Sequence, residues 1–162
     1  MMIILYPLLA LLDLSATMFA CLLVNWWAPL FATSAAHLPI WLAWFDTFDA
    51  DLDAGGATDY WGRVAWLYRN PAYGFSYWAL GSEFYFDRWH VSRCDQGPGK
   101  PFTFIALSDD GRFNVHAIRF GIRFKLGWAA WNMYDATTGK WKSTRWGPAW
   151  RIPFVFSVSV AR

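Results

Sequence analysis

Between Pro7 and Pro29 the chain runs through 21 residues, LLALLDLSATMFACLLVNWWA, whose one formal charge is Asp13. As a helix this segment would rise about 31 Å, close to the roughly 30 Å hydrocarbon thickness of a bilayer. Pro7 suits a helix start, and Pro29 would end or kink it. Trp26 and Trp27, near the far end, suit the aromatic belt at a membrane–water interface. Residues 1–36 are therefore predicted to form an apolar membrane-anchoring helix.

Asp13 complicates a simple span, because a charge near the bilayer centre costs roughly 2.5–3.5 kcal/mol on insertion scales. At helical spacing it shares a stripe with Ala16, Thr17, Ala20 and Cys21, all small or weakly polar. Ala16 and Ala20 form a small-xxx-small pair, which admits a second helix closely. The face Asp13, Ala16, Thr17, Ala20 is thus predicted to bind a partner helix, with Asp13 protonated or hydrogen-bonded. The competing reading places Asp13 near the interface of a lone anchor. A cleaved signal peptide fits less well, since no Lys or Arg precedes the run and the run is long, although Ala32-Thr33-Ser34-Ala35-Ala36 would suit cleavage.

Charge is divided unevenly. Residues 1–59 hold six Asp and no Lys or Arg, whereas residues 60–162 hold all 14 basic residues against six acidic ones, a net of +8. Such a region favours anionic partners such as acidic lipid or the chain's own acidic segment. Cys21 and Cys94 form no metal-ligand spacing and no disulfide framework. A free Cys94 and the basic residues that follow the span favour the cytoplasmic side for the C-terminal domain.

Residues 37–59 read as an interfacial and acidic linker. Trp41 and Trp44 lie in an apolar stretch too short to cross, and fit the headgroup layer. Asp49, Asp51 and Asp53 then alternate before Gly55-Gly56, the order of a calcium loop. As an EF-hand the loop fails, because its twelfth position is Tyr60 and its sixth is Ala54. A calcium or magnesium site of irregular form competes here with a polar turn that caps the next helix.

The run Leu38-Pro39, Trp44-Phe45-Asp46-Thr47, Asp49 and Leu52-Asp53, followed by Tyr60-Trp61, Arg63, Trp66-Leu67 and Arg69-Asn70-Pro71-Ala72-Tyr73-Gly74-Phe75, resembles a family of tailed-bacteriophage proteins of unknown function. Members are similar in plan: an apolar N-terminus, this acidic turn, the R-N-P-A-Y-G-F block and a β-rich tail. The resemblance implies a phage or prophage product acting in a bacterial host, and implies no activity. The chain departs from it at Phe48-Asp49-Ala50, where relatives show Pro-Asp-Asn.

Residues 60–162 are predicted to hold a short helix and an aromatic-rich β domain. Aromatics are 21% of the chain, 13 of them Trp. Trp61, Val64, Ala65 and Tyr68 recur at helical spacing, and Asn70-Pro71 stops the helix. From Phe75 the period moves towards two. Ser108-Asp109-Asp110-Gly111 marks a hairpin between strands at 102–107 and from Phe113. Ile118–Leu126 reads as one strand, Asp135–Gly139 as a turn into a strand at Trp141–Trp146, and Phe154–Val160 as the last strand. The whole is expected to be α+β, with an antiparallel meander or small barrel.

On the predicted 118–126 strand, Arg119, Arg123 and Lys125 fall on one side and would meet lipid phosphates or an acidic partner; a solvated face competes. Trp141-Lys142-Ser143-Thr144-Arg145-Trp146 could stack bases, but no nucleic-acid signature accompanies it. Asp87 with His90, or Glu83 with either, is the best acid–base pairing, and no nucleophile elbow or phosphate loop is present. The expectation is a membrane-anchored, non-enzymatic binding protein with no cofactor beyond calcium or magnesium at the turn. Its partner would be a host-envelope or phage component, a helical membrane protein or a second copy. A cation-dependent hydrolase, or a virion or assembly component that buries the helix between subunits, are the alternatives.

Overall fold

The computed structural model describes residues 2–47, 49–96, 101–142 and 149–161. It divides into two compact units, Leu11–Leu80, and Met1–Ala10 together with Gly81–Arg162. Helix α1, Met2–Phe19, contributes to both and continues as a π-helical turn over Ala20–Val24. It begins earlier than Pro7, which lies in its second turn and forfeits one backbone hydrogen bond there.

In the Leu11–Leu80 unit, Val24, Ala28, Leu38, Leu42, Leu52 and Leu67 form the core. Helix α2, Tyr60–Arg69, matches the predicted helix. The Asp59 carboxylate accepts from the Gly62 N–H at 2.8 Å, an N-cap that satisfies one of the four orphan donors. The Asn70 side chain donates to the Trp66 carbonyl at 3.1 Å and closes the other end. The change of period expected from Phe75 comes later. Helix α3, Tyr73–Trp78, intervenes before the first strand. Its cause is tertiary: Ala72 turns the chain with φ of +50, and the Phe75 N–H donates to the Trp44 carbonyl at 2.8 Å.

The other unit is built on strands β1 (Ser82–Tyr85), β2 (Trp89–Asp95), β3 (Thr103–Ser108), β4 (Phe113–Arg119) and β5 (Ile122–Trp128). Strands β6 (Tyr134–Asp135), β7 (Lys140–Trp141), β8 (Ala149–Ile152) and β9 (Phe154–Val160) follow. Five of them form an open antiparallel sheet in the order β2-β3-β4-β5-β9, while β1 pairs with β8 and β6 with β7. The fold is thus α+β with a meander, and no barrel closes. Phe84, Phe104, Trp128, Ile152 and Phe154 are its largest fully buried side chains, each contributing on the order of 2–3 kcal/mol by burial.

The hairpin turns at 108–111 and 135–139 stand where the sequence places them. Of the strand expected over 141–146, Trp141 lies in β7 and Lys142 beyond it, and residues 143–148 lie outside the described residues. The strand expected over 118–126 is two strands. Phe120 and Gly121, with φ of +53 and +75, turn the chain between β4 and β5. This is the left-handed geometry of a two-residue hairpin, and it costs a residue with a Cβ about 1–2 kcal/mol.

Candidate membrane-contact site

One stripe of α1 is buried and the rest is exposed. Ala10, Asp13, Ala20 and Val24 are buried, whereas Leu11, Leu12, Leu14, Met18, Leu22 and Leu23 are between 43% and 68% exposed. Asp13, 6% exposed, accepts a hydrogen bond from the Ser76 hydroxyl of α3 at 2.5 Å. The stripe predicted to receive a partner helix is therefore occupied at Asp13 by the chain itself. Ala20 is fully buried, and Ala16 and Thr17 are half-buried. Farther along, the Tyr68 hydroxyl donates to the Cys21 carbonyl at 2.7 Å, and the buried Asn25 amide donates to the Leu67 carbonyl at 3.2 Å. These bonds fix which side of the helix faces outward, and that side is leucine.

The four tryptophans predicted to lie at an interface are all exposed. Folding brings the end of the apolar run against the short segment after it: the Trp27 and Trp41 rings stack with centroids 6.3 Å apart. Phe31 meets both edge-on, at 5.8 and 5.2 Å. Trp26 packs on Tyr68 and Trp44 on Phe75, at 5.6 and 5.3 Å. Ile40, between them in sequence, is 89% exposed. Leucine, isoleucine and indole surface of this extent is unfavourable against water and suits the boundary between headgroups and acyl chains.

The acidic turn does not gather its carboxylates. The Tyr73 hydroxyl donates to Asp49 at 2.9 Å, and burial followed by the nearby Asp49 charge pushes that phenol's pKa well up. Asp51 accepts from the Asp53 N–H at 3.0 Å, an Asx turn. Asp53 takes both arms of Arg63, at 2.6 and 2.9 Å, and these hydrogen bonds hold its pKa below the usual carboxylate range. Among the described residues no three His, Cys, Asp or Glu side chains are arranged to hold a metal. Asp49, Asp51 and Asp53, the candidate calcium or magnesium ligands, thus each engage a different group of the protein. Adding millimolar calcium is expected to leave the melting temperature unchanged; a rise that disappears in Asp51→Asn/Asp53→Asn would establish the site.

The basic row also changes. Because the chain turns at Phe120-Gly121, Arg119 lies opposite Ile122, whereas Arg123 lies opposite Ile118 and Lys125 opposite His116. Facing residues share a side of the sheet, so Arg119 is on one face and Arg123 and Lys125 on the other. Lys125 lies over the Trp131 ring at 5.3 Å, and burial lowers its pKa. Beside it, burial brings His116 down to about 4, with Lys125 and Arg123 as lesser causes.

No acid–base pair assembles as the sequence suggests. His90 Nε2 stands 2.9 Å from Asp109, both exposed, and Glu83 accepts from the Tyr85 hydroxyl. A cleft of about 410 Å³ lies between Glu83, Asp110 and three arginines. Those guanidinium groups are already engaged: Arg88 over Tyr85, Arg112 with Asp110, and Arg151 with the Gly81 carbonyl.

Ser76 and Phe120 are the positions sequence reasoning missed. Nothing local marks Ser76 as a partner for Asp13, while Gly121 was the available signal for the turn at Phe120. No curated protein and no solved structure matches the chain. The model of a family of unknown function, DUF7338, matches residues 1–162, and the chain belongs to that family.

Proposed function

We propose that this is a phage-derived protein of the bacterial inner membrane, held there by α1, that acts by binding a host-envelope or phage component rather than by catalysis. The carrying observation is the helix Met2–Val24. It is long and apolar enough to cross a membrane, yet only 22% of its most apolar window is buried within the protein. A core helix of a water-soluble domain would be mostly covered. The exposed Trp26, Trp27, Trp41 and Trp44 supply the interfacial chemistry such an anchor needs. Phage origin rests on the resemblance carried by residues 38–80. A cytoplasmic position for the β unit is favoured by the basic residues beyond the helix and by Cys94, a free thiol.

Fractionation of expressing bacteria tests this reading. The protein is expected in the membrane pellet after carbonate washing, with its β unit protected from protease added on the periplasmic side. Recovery in the supernatant would remove the anchor and favour an assembly component that buries α1 between subunits.

A further inference from the structure

Phe120 stands where neither water nor its backbone favours phenylalanine. It is 101% exposed at the tip of the β4–β5 hairpin, with a positive φ. Asn or Gly is the usual choice for such a turn, since both tolerate the left-handed conformation and neither exposes an apolar ring. A bulky residue held in this conformation is grounds to ask what the site does.

The sheet beside the tip has the same character. The register puts Ile122 opposite Val160, Phe124 opposite Val158 and Leu126 opposite Phe156, and carries the same face across Ala117 and Val115 to Leu107 on β3. Leu107, Ile122, Phe156, Val158 and Val160 are all exposed. Arg119 is the single charged residue on this face of β3, β4, β5 and β9. On the opposite face Trp131 covers His116, and Tyr134 and Trp141 cover Phe104. At the far end of the apolar face Tyr6 lies on Phe113 and Phe154, with centroids 4.7 and 5.3 Å away.

We infer that the Phe120 tip and this sheet face are a second membrane-contact surface, which takes the headgroup layer of an anionic bilayer. The inference rests on the membrane reading above and adds a contact that the anchor alone does not require. Charge selects lipid over a second copy. Residues 60–162 carry +8, and Arg119 and Arg123 flank the apolar tip on either side of the turn, within reach of phosphates. Two copies meeting through this surface would bring those arginines and that net charge together. Depth is limited by β9. Bonds from Ala129 N–H to the Pro153 carbonyl and from Ala161 N–H to the Gly121 carbonyl show that its odd residues bond to β5. The N–H and C=O groups of Phe156, Val158 and Val160 therefore point outward, at the edge of the sheet. Hydrocarbon could not satisfy them, whereas hydrated headgroups can.

The test uses the full chain reconstituted in phosphatidylglycerol–phosphatidylcholine vesicles that carry either brominated acyl chains or a nitroxide on the choline headgroup. Both native cysteines are replaced by serine, and an environment-sensitive dye is attached at Phe120→Cys, Val158→Cys, Asp109→Cys or Leu12→Cys. Asp109 lies in the turn at the other end of β4, about 24 Å from the tip. The label at 12 is expected to lose most of its emission to the brominated chains and those at 120 and 158 to the headgroup nitroxide, while the label at 109 keeps its emission in both. Quenching at 12 alone overturns the second surface and leaves the anchor standing. Quenching at none of the four removes the anchor and this inference with it. Labels at 120 and 158 that are shielded from aqueous iodide but untouched by either lipid quencher would reveal a protein contact instead, and overturn the lipid assignment.

Discussion

Gly74→Val is expected to unfold the Leu11–Leu80 unit. Gly74 is buried, and a Cβ built on it would lie 1.9 Å from the Ala43 carbonyl oxygen, a backbone atom that cannot rotate away as a side chain could. The next nearest atoms, the Ala43 and Trp44 carbonyl carbons, at 2.9 and 3.0 Å, are also backbone. Relief requires α3 to leave the 43–44 segment. That breaks the Phe75 N–H bond to Trp44 and displaces Ser76 from Asp13. Overpacking ordinarily costs 1–3 kcal/mol, but a backbone collision that also severs a buried hydrogen bond belongs to the exceptional class of about 4 kcal/mol or more. Even Gly74→Ala should lose most of that. Gly56→Ala is the matched control, since Gly56 has φ of +86 with nothing within 4 Å of its added Cβ, and it should lose only about 1 kcal/mol from the left-handed conformation. Urea midpoints in detergent micelles, followed by far-ultraviolet circular dichroism, compare the two. Equal losses at both sites would mean that the block does not pack on the Trp44 segment as described.

That collision also gives the R-N-P-A-Y-G-F block a physical meaning. Arg69 lies over the Trp66 ring at 5.3 Å, Asn70 closes α2, Ala72 turns the chain, Tyr73 takes Asp49, and Gly74 permits the approach to Ala43. The spacing of this block was visible in the sequence, but its purpose was not, because the contacts that define it, Tyr73 with Asp49 and Gly74 with Ala43, reach residues more than 20 positions away. The same limit explains Asp13: its isolation in an apolar run was plain, and Ser76 had no local signature. Elements set by neighbouring residues were legible. The α2 cap, the Asp110-Gly111 turn and the alternation of β9 all follow from short-range rules. The 118–126 segment shows how such a rule misleads. A straight strand and a two-residue hairpin both preserve a period of two on either side of Phe120-Gly121, so alternation cannot separate them. Only the left-handed pair of φ values does, and the phenylalanine there argues against it on propensity. The three basic residues consequently looked like one row and occupy two faces.

Acidification is expected to weaken the β unit through His116. Its ring lies between Phe102 and Trp131, each 4.7 Å away, and its Nδ1 is buried with no hydrogen-bond partner among the described residues. Burial, then the charges of Lys125 and Arg123, lower its pKa from 6.5 to about 4. The native state thus holds it neutral while the unfolded chain takes up a proton first. Stability from this group is complete above pH 6.5 and is lost as pH falls towards 4. The full shift corresponds to roughly 3 kcal/mol, and partial access of solvent to the ring reduces the expected loss to about 2 kcal/mol. His116→Phe keeps an aromatic ring between Phe102 and Trp131 and removes the titration. Its urea midpoint should fall less than that of the wild type between pH 6.5 and 4.5, while carboxylates that titrate in both proteins cancel from the difference. Lys125→Gln should narrow the gap by removing one of the two cations, letting the imidazole protonate at higher pH within the folded state. Parallel pH curves for wild type and His116→Phe would show that the imidazole meets solvent freely, and that the cover supplied by Phe102 and Trp131 opens at no measurable cost.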